Sequence, residues 1–442
     1  MNYWDHGELS VSGNKKYLQN GEVPFFWMGD TAWLLTQTCS LEECDLYLRN
    51  RKEKGFNVIQ IDFFHSYKED RKEGDEGWDK DIRNPEYWEL CDRVIDMAED
   101  MGLYMAVLPV WGSIAKSEIM DEEKMVRYGR FLGARYQEKK NLIWVIGGDV
   151  RGDAAYPRFC ALGRTLKEYN PSRLMSFHPF GRTSSDQWFA EEPWMDFHMF
   201  QSGHRRYDQV TLGRWDDKGQ GDNTYGEDNW RYVDQVHSRA DVKPVVDAEP
   251  SYEGIPHGLH DPREPYWEDC DVRRYGYWSV FQGACGYTYG HNAIMQFHSD
   301  ISKPGAFGVR EYWMDALHQE GSCQMRHLRS LMEKVDFVHG TPREELLLCG
   351  QKERYHRISV FAGKNYIYCY DYMGDMFILD LKDYRDKKKL SGYWFEPVSG
   401  TFSYMGDLTG MKEITVRPPR KASGQNDWVF AVFSEDGSCF PC

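Results

Sequence analysis

The sequence contains no run of about 20 apolar residues, the length that a membrane-spanning helix requires. Its N-terminus lacks a basic segment followed by an apolar one, so we expect no signal peptide. Lysine and arginine together number 54, against 70 aspartates and glutamates. Because an acidic surface repels phosphate backbones, nucleic acid is an unfavourable partner. We therefore expect a protein that binds neither membranes nor nucleic acids.

The motifs of several enzyme classes are also missing. No G-x-G-x-x-G follows the first predicted strand, which argues against a dinucleotide-binding fold, and no G-x-S-x-G is present for serine-based hydrolysis. Metal-dependent barrels usually carry H-x-H on the first strand, whereas this first strand has no histidine. His257 and His260 have a spacing compatible with zinc, but proline and glycine surround them. We expect neither a metal nor a cofactor.

Cysteine is present in an odd number, 11, and is scattered through apolar segments such as those around Cys285 and Cys369. A disulfide framework normally has an even count at regular spacing. Reduced thiols are typical of the cytoplasm, whose redox systems keep them reduced. Together with the missing signal peptide, this pattern predicts a cytoplasmic protein.

Aromatic residues are abundant: they make up 15% of the chain and include 16 tryptophans and 28 tyrosines. Aromatic rings bind sugars by stacking on their C–H faces, but a large barrel also buries many rings in its core. The length of 442 residues exceeds one typical domain and suits a barrel of ~250 residues or more with a smaller module. Composition alone leaves both interpretations of the rings open.

Eight short apolar segments recur between residues 25 and 290. They span residues 25–33, 58–64, 104–112, 142–149, 174–181, 195–203, 244–254 and 281–290. Continuous apolar runs of this kind are typical of strands buried on both faces of a parallel sheet. Most of the segments end in polar, aromatic or glycine residues, and this is the end at which a barrel carries its active site.

Helix signals alternate with these strands. Ser40 and Glu43 form a capping box, Asn84 followed by proline opens an amphipathic helix, and a third helix is predicted over residues 121–137. A further helix around residues 308–333 completes the barrel. Repeated strand–helix–strand units imply parallel strands with right-handed crossovers. Eight of them predict a closed (β/α)8 barrel, and an open doubly wound sheet is the alternative.

The pattern changes after Val335. Short alternating strands separated by turn signals occupy residues 357–363, 366–372, 377–381, 392–400, 413–419 and 427–433. This pattern is typical of an antiparallel β-sandwich. We therefore predict an α/β chain with a (β/α)8 TIM barrel over residues 1–335 and a small β-sandwich domain over residues 336–442.

Two acidic residues stand at the ends of predicted barrel strands: Asp149 ends the fourth strand and Glu249 ends the seventh. Hydrolysis of a glycosidic bond needs a proton for the departing oxygen and a carboxylate at the anomeric carbon. Two carboxyl groups that face each other across a barrel mouth supply both. A capping or salt-bridged acid is the structural alternative for either residue alone, but for the pair we favour the catalytic interpretation.

Five stretches carry a resemblance to a known family: PFFWMGDTAW (24–33), NLIWVIGGD (141–149), SFHPFG (176–181), DFHMFQSGH (196–204) and KPVVDAEPSYEG (243–254). The barrel resembles the apiosidase-like hydrolases of glycoside hydrolase family 140, and WFEPVSG (394–400) is similar to the signature of the β-sandwich that follows that barrel. The resemblance implies Asp149 as general acid/base and Glu249 as nucleophile. Many members of the wider superfamily have Asn-Glu where this chain has Gly148-Asp149, whereas the apiosidase-like group has Asp there.

Further polar and aromatic residues lie at or just beyond the predicted strand ends, around the same rim. They are Asp30, Trp33, Asp62, Trp111, His178, His198, Gln201, Tyr252 and His291. We expect Trp33 to form a stacking wall for a sugar and the polar side chains, as a set, to bind hydroxyl groups. For Asp30 a role as a helix cap is an equal alternative. Asp247 faces the same way as Glu249 but lies deeper, which suits a residue that orients its neighbours.

The sequence thus predicts a retaining glycoside hydrolase that binds an oligosaccharide. The resemblance implies an apiosyl linkage, such as that in the side chains of rhamnogalacturonan-type pectin. A β-glycosidase of another specificity, acting on imported plant oligosaccharides, is the second enzyme hypothesis. A non-catalytic carbohydrate-binding protein is the alternative from a different class, and the presence of both Asp149 and Glu249 argues against it.

Overall fold

A computed structural model describes residues 2–65, 84–209, 225–300, 302, 304–421 and 425–434. It begins with an antiparallel sheet of three short strands, β1 (Leu9–Val11), β2 (Leu18–Asn20) and β3 (Val23–Phe25). The sequence pattern does not predict this sheet. The Asn20 side chain donates to the Tyr104 hydroxyl, and the Phe25 ring meets the Tyr104 ring edge-on at 5.3 Å. Since Tyr104 begins a barrel strand, the sheet covers the N-terminal end of the barrel, opposite the end that carries active sites.

Eight parallel strands form the barrel. They are β4 (Trp27–Thr31), β5 (Val58–Asp62), β6 (Tyr104–Leu108), β7 (Leu142–Val150), β8 (Met175–Pro179), β10 (His198–Gln201), β11 (Val245–Asp247) and β12 (Gly286–Tyr289), with the short antiparallel β9 (Thr183–Ser184) beside β10. Their hydrogen-bonded order is β8-β7-β6-β5-β4-β12-β11-β10. The main-chain bond from Asp196 to Met175, at 2.9 Å, links the two ends of this row. The predicted barrel is confirmed, and the open doubly wound sheet is wrong.

Seven of the eight predicted strands extend beyond the observed ones, and two of them do so by the widest margin. The predicted range 244–254 shortens to Val245–Asp247, so Glu249 lies in the segment that follows the strand. The predicted range 281–290 shortens to Gly286–Tyr289, because Phe281 is the last residue of the preceding helix. Both differences have one cause: helix ends and loops that are buried in a barrel are as apolar as its strands, so periodicity cannot separate them.

The helices form the outer layer of the barrel. They are α1 (Leu35–Thr38), α2 (Leu41–Glu53), α3 (Pro85–Asp100), α4 (Gly112–Ala115), α5 (Glu122–Tyr136), α6 (Tyr156–Tyr169), α7 (Asp186–Phe189), α8 (Trp230–His237), α9 (Asp269–Phe281), α10 (Asn292–Met295), α11 (Trp313–Ala316) and α12 (Glu320–Glu333). The capping box between Ser40 and Glu43 opens α2 as predicted, and Asn84 caps α3. The single helix predicted over residues 308–333 is wrong, since α11 and α12 occupy that region. In the ranges given above, no helix has the length and apolarity needed to cross a membrane.

Two antiparallel sheets follow the barrel. Their strands are β13 (Thr341–Pro342), β14 (Leu347–Cys349), β15 (Ile358–Gly363), β16 (Tyr366–Asp371), β17 (Phe377–Asp380), β18 (Leu390–Glu396), β19 (Thr401–Asp407), β20 (Glu413–Val416) and β21 (Trp428–Ser434). Six strands form one sheet, in the order β13-β15-β16-β21-β18-β19, and β14-β17-β20 form the other. The predicted β-sandwich is confirmed, with β13, β14 and β19 added to the six predicted strands.

Strand β16 joins this sandwich to the barrel because both of its faces are buried. Ile367 and Cys369 belong to the core between the two sheets. The alternate residues point the other way, as the twofold repeat of a strand requires. Among them, Tyr370 stacks on Tyr277 of α9 at 4.5 Å, and Tyr368 stacks on Phe281 at 6.0 Å. Aromatic packing therefore holds the six-stranded sheet against the outer layer of the barrel.

Candidate active site

A bulge at the end of β7 places Asp149 at the C-terminal mouth of the barrel. Gly147, Gly148 and Asp149 all have positive φ, with values of 98°, 105° and 50°. The pairing of β7 with β8 shifts its register directly after Gly147. A Cβ atom on Gly147 would lie 2.5 Å from the His178 carbonyl oxygen, so only glycine fits there. Aspartate tolerates the left-handed region better than most residues, and strain of this kind clusters at functional sites.

Glu249 lies two residues after β11 and is 8% exposed. Its main-chain carbonyl accepts hydrogen bonds from the backbone N–H groups of Ser202 and Gly203, both at 3.1 Å, which fix the segment against the end of β10. Its carboxylate contacts two histidines: His204 Nε2 lies 3.0 Å from Oε1, and His178 Nε2 lies 3.3 Å from Oε2. Burial opposes ionisation of Glu249, but the contacts with both histidines outweigh it and lower the pKa of this carboxyl to about 2.

The pKa of Asp149 is shifted in the opposite direction. The side chain of Asp149 is exposed to solvent, but the protein atoms packed around it still disfavour its charged form and raise the pKa to about 6. The negative charge of Glu249 adds to the rise, whereas His178, His204 and a hydrogen bond from Gln201 oppose it. The mouth therefore holds one carboxyl group that is readily ionised and another that keeps its proton to a higher pH.

Aromatic rings form a wall beside the two carboxyl groups. The Trp33 ring meets Trp111 at 5.2 Å and His178 at 5.3 Å, both edge-on. The Trp111 ring in turn lies 4.4 Å from the ring of His65. Trp111 is half-buried. Its ring also leaves no room for a side chain at Gly148 in the bulge of β7, since a Cβ atom there would lie 2.7 Å from the ring. The structure thus brings Trp33, Trp111 and His178 together at the mouth.

Gln201 and Tyr252 also reach the mouth. Gln201 is the last residue of β10 and contacts Asp149 through its side chain. The Tyr252 ring meets His204 edge-on at 4.9 Å, and its hydroxyl donates to Thr31 Oγ1 at 3.3 Å. Burial and the charge of Glu249 raise the pKa of Tyr252 well above its ordinary value, so this hydroxyl stays protonated.

Two of the residues predicted for the site, Asp30 and His198, do not lie at the barrel mouth. Asp30 is fully buried beneath α2, where its carboxylate accepts hydrogen bonds from Arg51 Nε at 2.6 Å and from the Tyr47 hydroxyl at 2.5 Å. His198 begins β10, at the far end of that strand from the mouth, and its Nδ1 lies 2.9 Å from the Ser185 hydroxyl. Burial lowers the pKa of His198 to about 3. Successive residues of a strand point to opposite faces. The residues on either side of Asp30 face the barrel interior, so Asp30 itself faces the surrounding helices.

Asp62 and His291 lie behind the residues that line the mouth. Asp62 is fully buried and sits 2.7 Å from His65 Nδ1. Burial would lower the pKa of His65, but the hydrogen bond and charge of Asp62 outweigh it and raise that pKa. His291 caps α10 by accepting from the Ala293 N–H at 3.1 Å, and its Nε2 lies 3.3 Å from Glu311. Asp62 thus orients His65, and His291 orients the chain after β12.

The position of Asp30 yields a stability prediction. Asp30→Ala leaves Arg51 as a buried charge without its counter-ion, so we expect the free energy of unfolding to fall by about 3–5 kcal/mol in denaturant titrations. The control is Asp45→Ala, which removes an exposed pair with Arg49 and should cost less than about 1 kcal/mol. An Asp30→Ala protein that unfolds like the wild type but loses sugar affinity would instead support Asp30 as a hydroxyl ligand.

Two residues at the mouth, His204 and His65, are absent from the sites predicted from the sequence. His204 follows β10 by three residues and adopts a positive φ of 76°, which turns its ring toward Glu249. His178 was singled out because it lies near the end of a predicted strand, and His204 directly follows the predicted strand 195–203, so a similar signal was present for His204. Among the described residues, no group of three or more His, Cys, Asp or Glu side chains has an arrangement that could hold a metal ion.

A barrel that carries a low-pKa glutamate and a raised-pKa aspartate at its C-terminal mouth defines the class of barrel glycoside hydrolases. Comparison with known proteins agrees. The family model described as "Apiosidase-like, catalytic domain" matches residues 12–339. The chain belongs to this apiosidase-like family of glycoside hydrolases. A model of a collagen-binding domain of a collagenase matches residues 341–432, but a domain name of this kind carries no activity to this chain.

Solved structures give the same class. One glycoside hydrolase is 36% identical, with 99% of each chain covered and a TM-score of 0.89. A glycoside hydrolase family 5 structure from Bacteroides vulgatus ATCC 8482 is 35% identical, with 100% of this chain and 96% of that chain covered and a TM-score of 0.89. No curated protein sequence matches the chain. The protein is therefore an enzyme that hydrolyses glycosidic bonds.

Proposed function

We propose that the protein is a retaining glycosidase in which Glu249 is the nucleophile and Asp149 is the general acid/base. The observation that supports these roles is the opposite shift of the two pKa values at one barrel mouth, to about 2 for Glu249 and about 6 for Asp149. A nucleophile must be ionised and a general acid must be protonated at the same pH, and this pair meets both conditions in mildly acidic solution.

In the proposed reaction, a carboxylate oxygen of Glu249 attacks the anomeric carbon while the glycosidic C–O bond breaks. The departing oxygen takes the proton of Asp149. The ionised Asp149 then removes a proton from water, whose oxygen attacks the same carbon and releases Glu249. Retention in this scheme requires carboxyl groups ~5–5.5 Å apart, and a gap of ~6.5 Å or more belongs to inversion.

The remaining residues at the mouth are assigned to substrate binding. Trp33 and Trp111 provide the stacking wall, and His65, Gln201 and Tyr252 provide hydrogen-bonding groups for sugar hydroxyls. His178 and His204 hold the carboxylate of Glu249 in place and ionised. Asp62 contributes through His65. We infer no metal or cofactor in this scheme.

The substrate class that we propose is an apiosyl linkage of rhamnogalacturonan-type pectin, supported by the match to the apiosidase-like catalytic model. A panel of aryl glycosides and pectic oligosaccharides, which includes apiosides, tests this proposal. We expect the highest kcat/KM on an apioside, with the first-formed product in the anomeric configuration of the substrate, as read by proton NMR. A preference for another glycoside would favour the β-glycosidase of other specificity. Initial formation of the opposite anomer would exclude retention.

We also propose that the enzyme works in the cytoplasm on imported oligosaccharides. The nine cysteines among the described residues are unpaired, which suits a reducing compartment. Most of them are buried, among them Cys44, Cys91 and Cys369, so they pack as small apolar residues. Fractionation of the producing cells, with enzyme activity assayed in each fraction, distinguishes this location from export.

The two pKa shifts predict the pH profile of kcat/KM. Activity needs Glu249 without its proton and Asp149 with its proton. It therefore rises as the pH increases through about 2, and it falls as the pH increases through about 6, by about tenfold per pH unit above that point. Initial rates on an activated glycoside, with the stability of the enzyme checked at each pH, measure both limbs. A profile that stays flat to pH 9 would contradict the role of Asp149.

A further inference from the structure

A second cleft lies between the barrel and the β-sandwich and has a volume of about 580 Å³. Two anionic side chains line it, Asp228 and Glu353, against five cationic ones. The cationic residues are Arg182, Arg231, Lys352, Arg354 and Arg357. This local excess of positive charge occurs on a chain whose net charge is −16. The side chains that line the cleft therefore carry more positive than negative charge, and this balance favours an anionic ligand although the molecule as a whole is acidic.

Two buried guanidinium groups form the floor of the cleft. Arg182 is 1% exposed and Arg357 is 5% exposed. Arg182 donates to main-chain carbonyl oxygens, which bring no net negative charge, and Arg357 donates to Gln282 and pairs with Glu344. Within the described part of the chain, the Nε atoms of both arginines lack a hydrogen-bond partner. Burial lowers the pKa of Arg357 to about 10, which still leaves it protonated at neutral pH. The acidic neighbours Glu344, Asp234 and Asp228 thus balance the charge of Arg357. Arg182, by contrast, is bonded to neutral carbonyl groups.

Three cations lie on the rim, where a ligand can reach them. Arg231 and Lys352 each have about half of their side chain exposed, and each keeps one ion pair, with Asp228 and Asp375 respectively. The guanidinium of Arg354 is exposed and lies over a tyrosine ring at 4.9 Å. The rim therefore offers guanidinium and ammonium groups that a carboxylate can bind with charge-assisted hydrogen bonds.

Aromatic rings pack against three of the five cations, Arg231, Arg354 and Arg357. The Trp230 ring has Arg357 at 3.6 Å and Arg231 at 5.0 Å from its centroid. The guanidinium group of Arg354 lies over the Tyr207 ring. Cation–π contacts of this kind orient a guanidinium without neutralising its charge. The cleft is therefore organised before any ligand binds.

The cleft adjoins the catalytic mouth. The backbone N–H of Arg182 donates to the carbonyl of Gln201 at 2.7 Å. The segment that begins with His204, which contacts Glu249, reaches the cleft lining at Tyr207 three residues later. Three residues span at most about 11 Å. A ligand in the cleft is thus close enough to belong to the same oligosaccharide as the sugar at the mouth.

We propose that this cleft is a subsite for a hexuronate residue of the substrate, whose carboxylate pairs with the guanidinium groups of Arg231 and Arg354 above the floor. The volume lies within the range of about 300–1,000 Å³ that small-molecule sites have, and it exceeds what a single inorganic ion needs. The inference deepens the proposed function, on which it rests for the identity of the ligand as an oligosaccharide.

The test is calorimetric titration of the inactive Glu249→Gln protein with trigalacturonate and with its fully methyl-esterified form, which has the same sugars without the charge. We expect the ester to bind at least about tenfold more weakly, since each charged hydrogen bond lost is worth about one such factor. The double variant Arg231→Gln/Arg354→Gln should lose at least about tenfold in affinity for trigalacturonate, again by the loss of charged hydrogen bonds. Arg49→Gln, an exposed change on α2, is the matched control and should bind like the parent protein.

Two outcomes would overturn the subsite: equal affinity for the acid and the ester, or equal affinity in the parent and the double variant. Inorganic phosphate that displaces trigalacturonate at the same concentration would show a general anion site instead of a hexuronate site. Failure of the proposed function gives a different result. A wild-type protein that cleaves no apioside or other pectic glycoside, but whose trigalacturonate affinity still depends on Arg231 and Arg354, would remove the proposed activity and leave the subsite.

Discussion

Glu249→Gln is expected to lower kcat on the order of 10⁴-fold or more, as the removal of a nucleophile does in other hydrolases, without unfolding the protein. Glutamine has nearly the same shape as glutamate, so the segment after β11 keeps its main-chain bonds to Ser202 and Gly203. The substitution removes the negative charge of the side chain at position 249. A neutral amide does not attack the anomeric carbon, and it no longer gives His204 and His178 an anion to contact.

The measurement combines initial rates on an activated aryl glycoside with a thermal unfolding curve for each variant. Glu191→Gln, at a side chain that is 90% exposed, is the control for the chemical change and should retain wild-type kcat. A second variant, Glu249→Gly, tests the role directly. With azide, it should form a glycosyl azide of inverted configuration, because azide then attacks from the side that the carboxylate occupied. An active Glu249→Gln enzyme would remove the assignment.

Asp149→Ala is expected to lower kcat/KM by about 10²–10⁴-fold on substrates with poor leaving groups. These substrates depend on the proton that Asp149 donates. Aryl glycosides with acidic phenols leave without protonation, so their first step should be affected least. The variant should also lose the fall in activity above a pH of about 6, because the group that causes it is absent.

A series of aryl glycosides with phenols of increasing pKa measures this effect, and the slope of log kcat/KM against leaving-group pKa should be steeper for the variant. Asp153→Ala is the matched control, since Asp153 follows the same strand and its side chain is 53% exposed. Azide should rescue Asp149→Ala with retained configuration, in contrast to Glu249→Gly. Equal loss on good and poor leaving groups would indicate that Asp149 positions the substrate and does not act as the acid.

The sequence identified the elements of this fold wherever a local rule operates. The capping box of Ser40 and Glu43 and the Asn84 cap involve groups three residues apart, so the chain determines them without distant contacts. The eight apolar strands were also identified, because every barrel strand is buried on both faces. The ends of these strands were not predicted correctly, because apolar loops and apolar strands have the same pattern along the chain. Glu249, for example, lies beyond the end of β11.

The β-sheet at the N-terminus and the position of Asp30 escaped prediction for a related reason. Strands β1 to β3 are three residues each, too short for a periodic pattern. Asp30 looks like a rim residue from its place after an apolar run, but its contact with Arg51 depends on how α2 packs against β4. Residues 30 and 51 meet only when the barrel forms, and no local pattern records that contact.

The amino-acid order by itself determined the barrel, the sandwich and the family, because burial patterns and strand-end motifs are properties of neighbouring positions. It also gave the prediction that Asp149 and Glu249 are the catalytic pair. Only the tertiary structure decided the pKa of each of these two carboxyl groups. The pKa of a carboxyl group depends on its burial and on the charges around it. The pKa values of Asp149 and Glu249 differ because of neighbours that lie on other strands or on the loops after them, namely His178, His204 and Gln201. The same holds for the cationic cleft, whose arginines come from two domains.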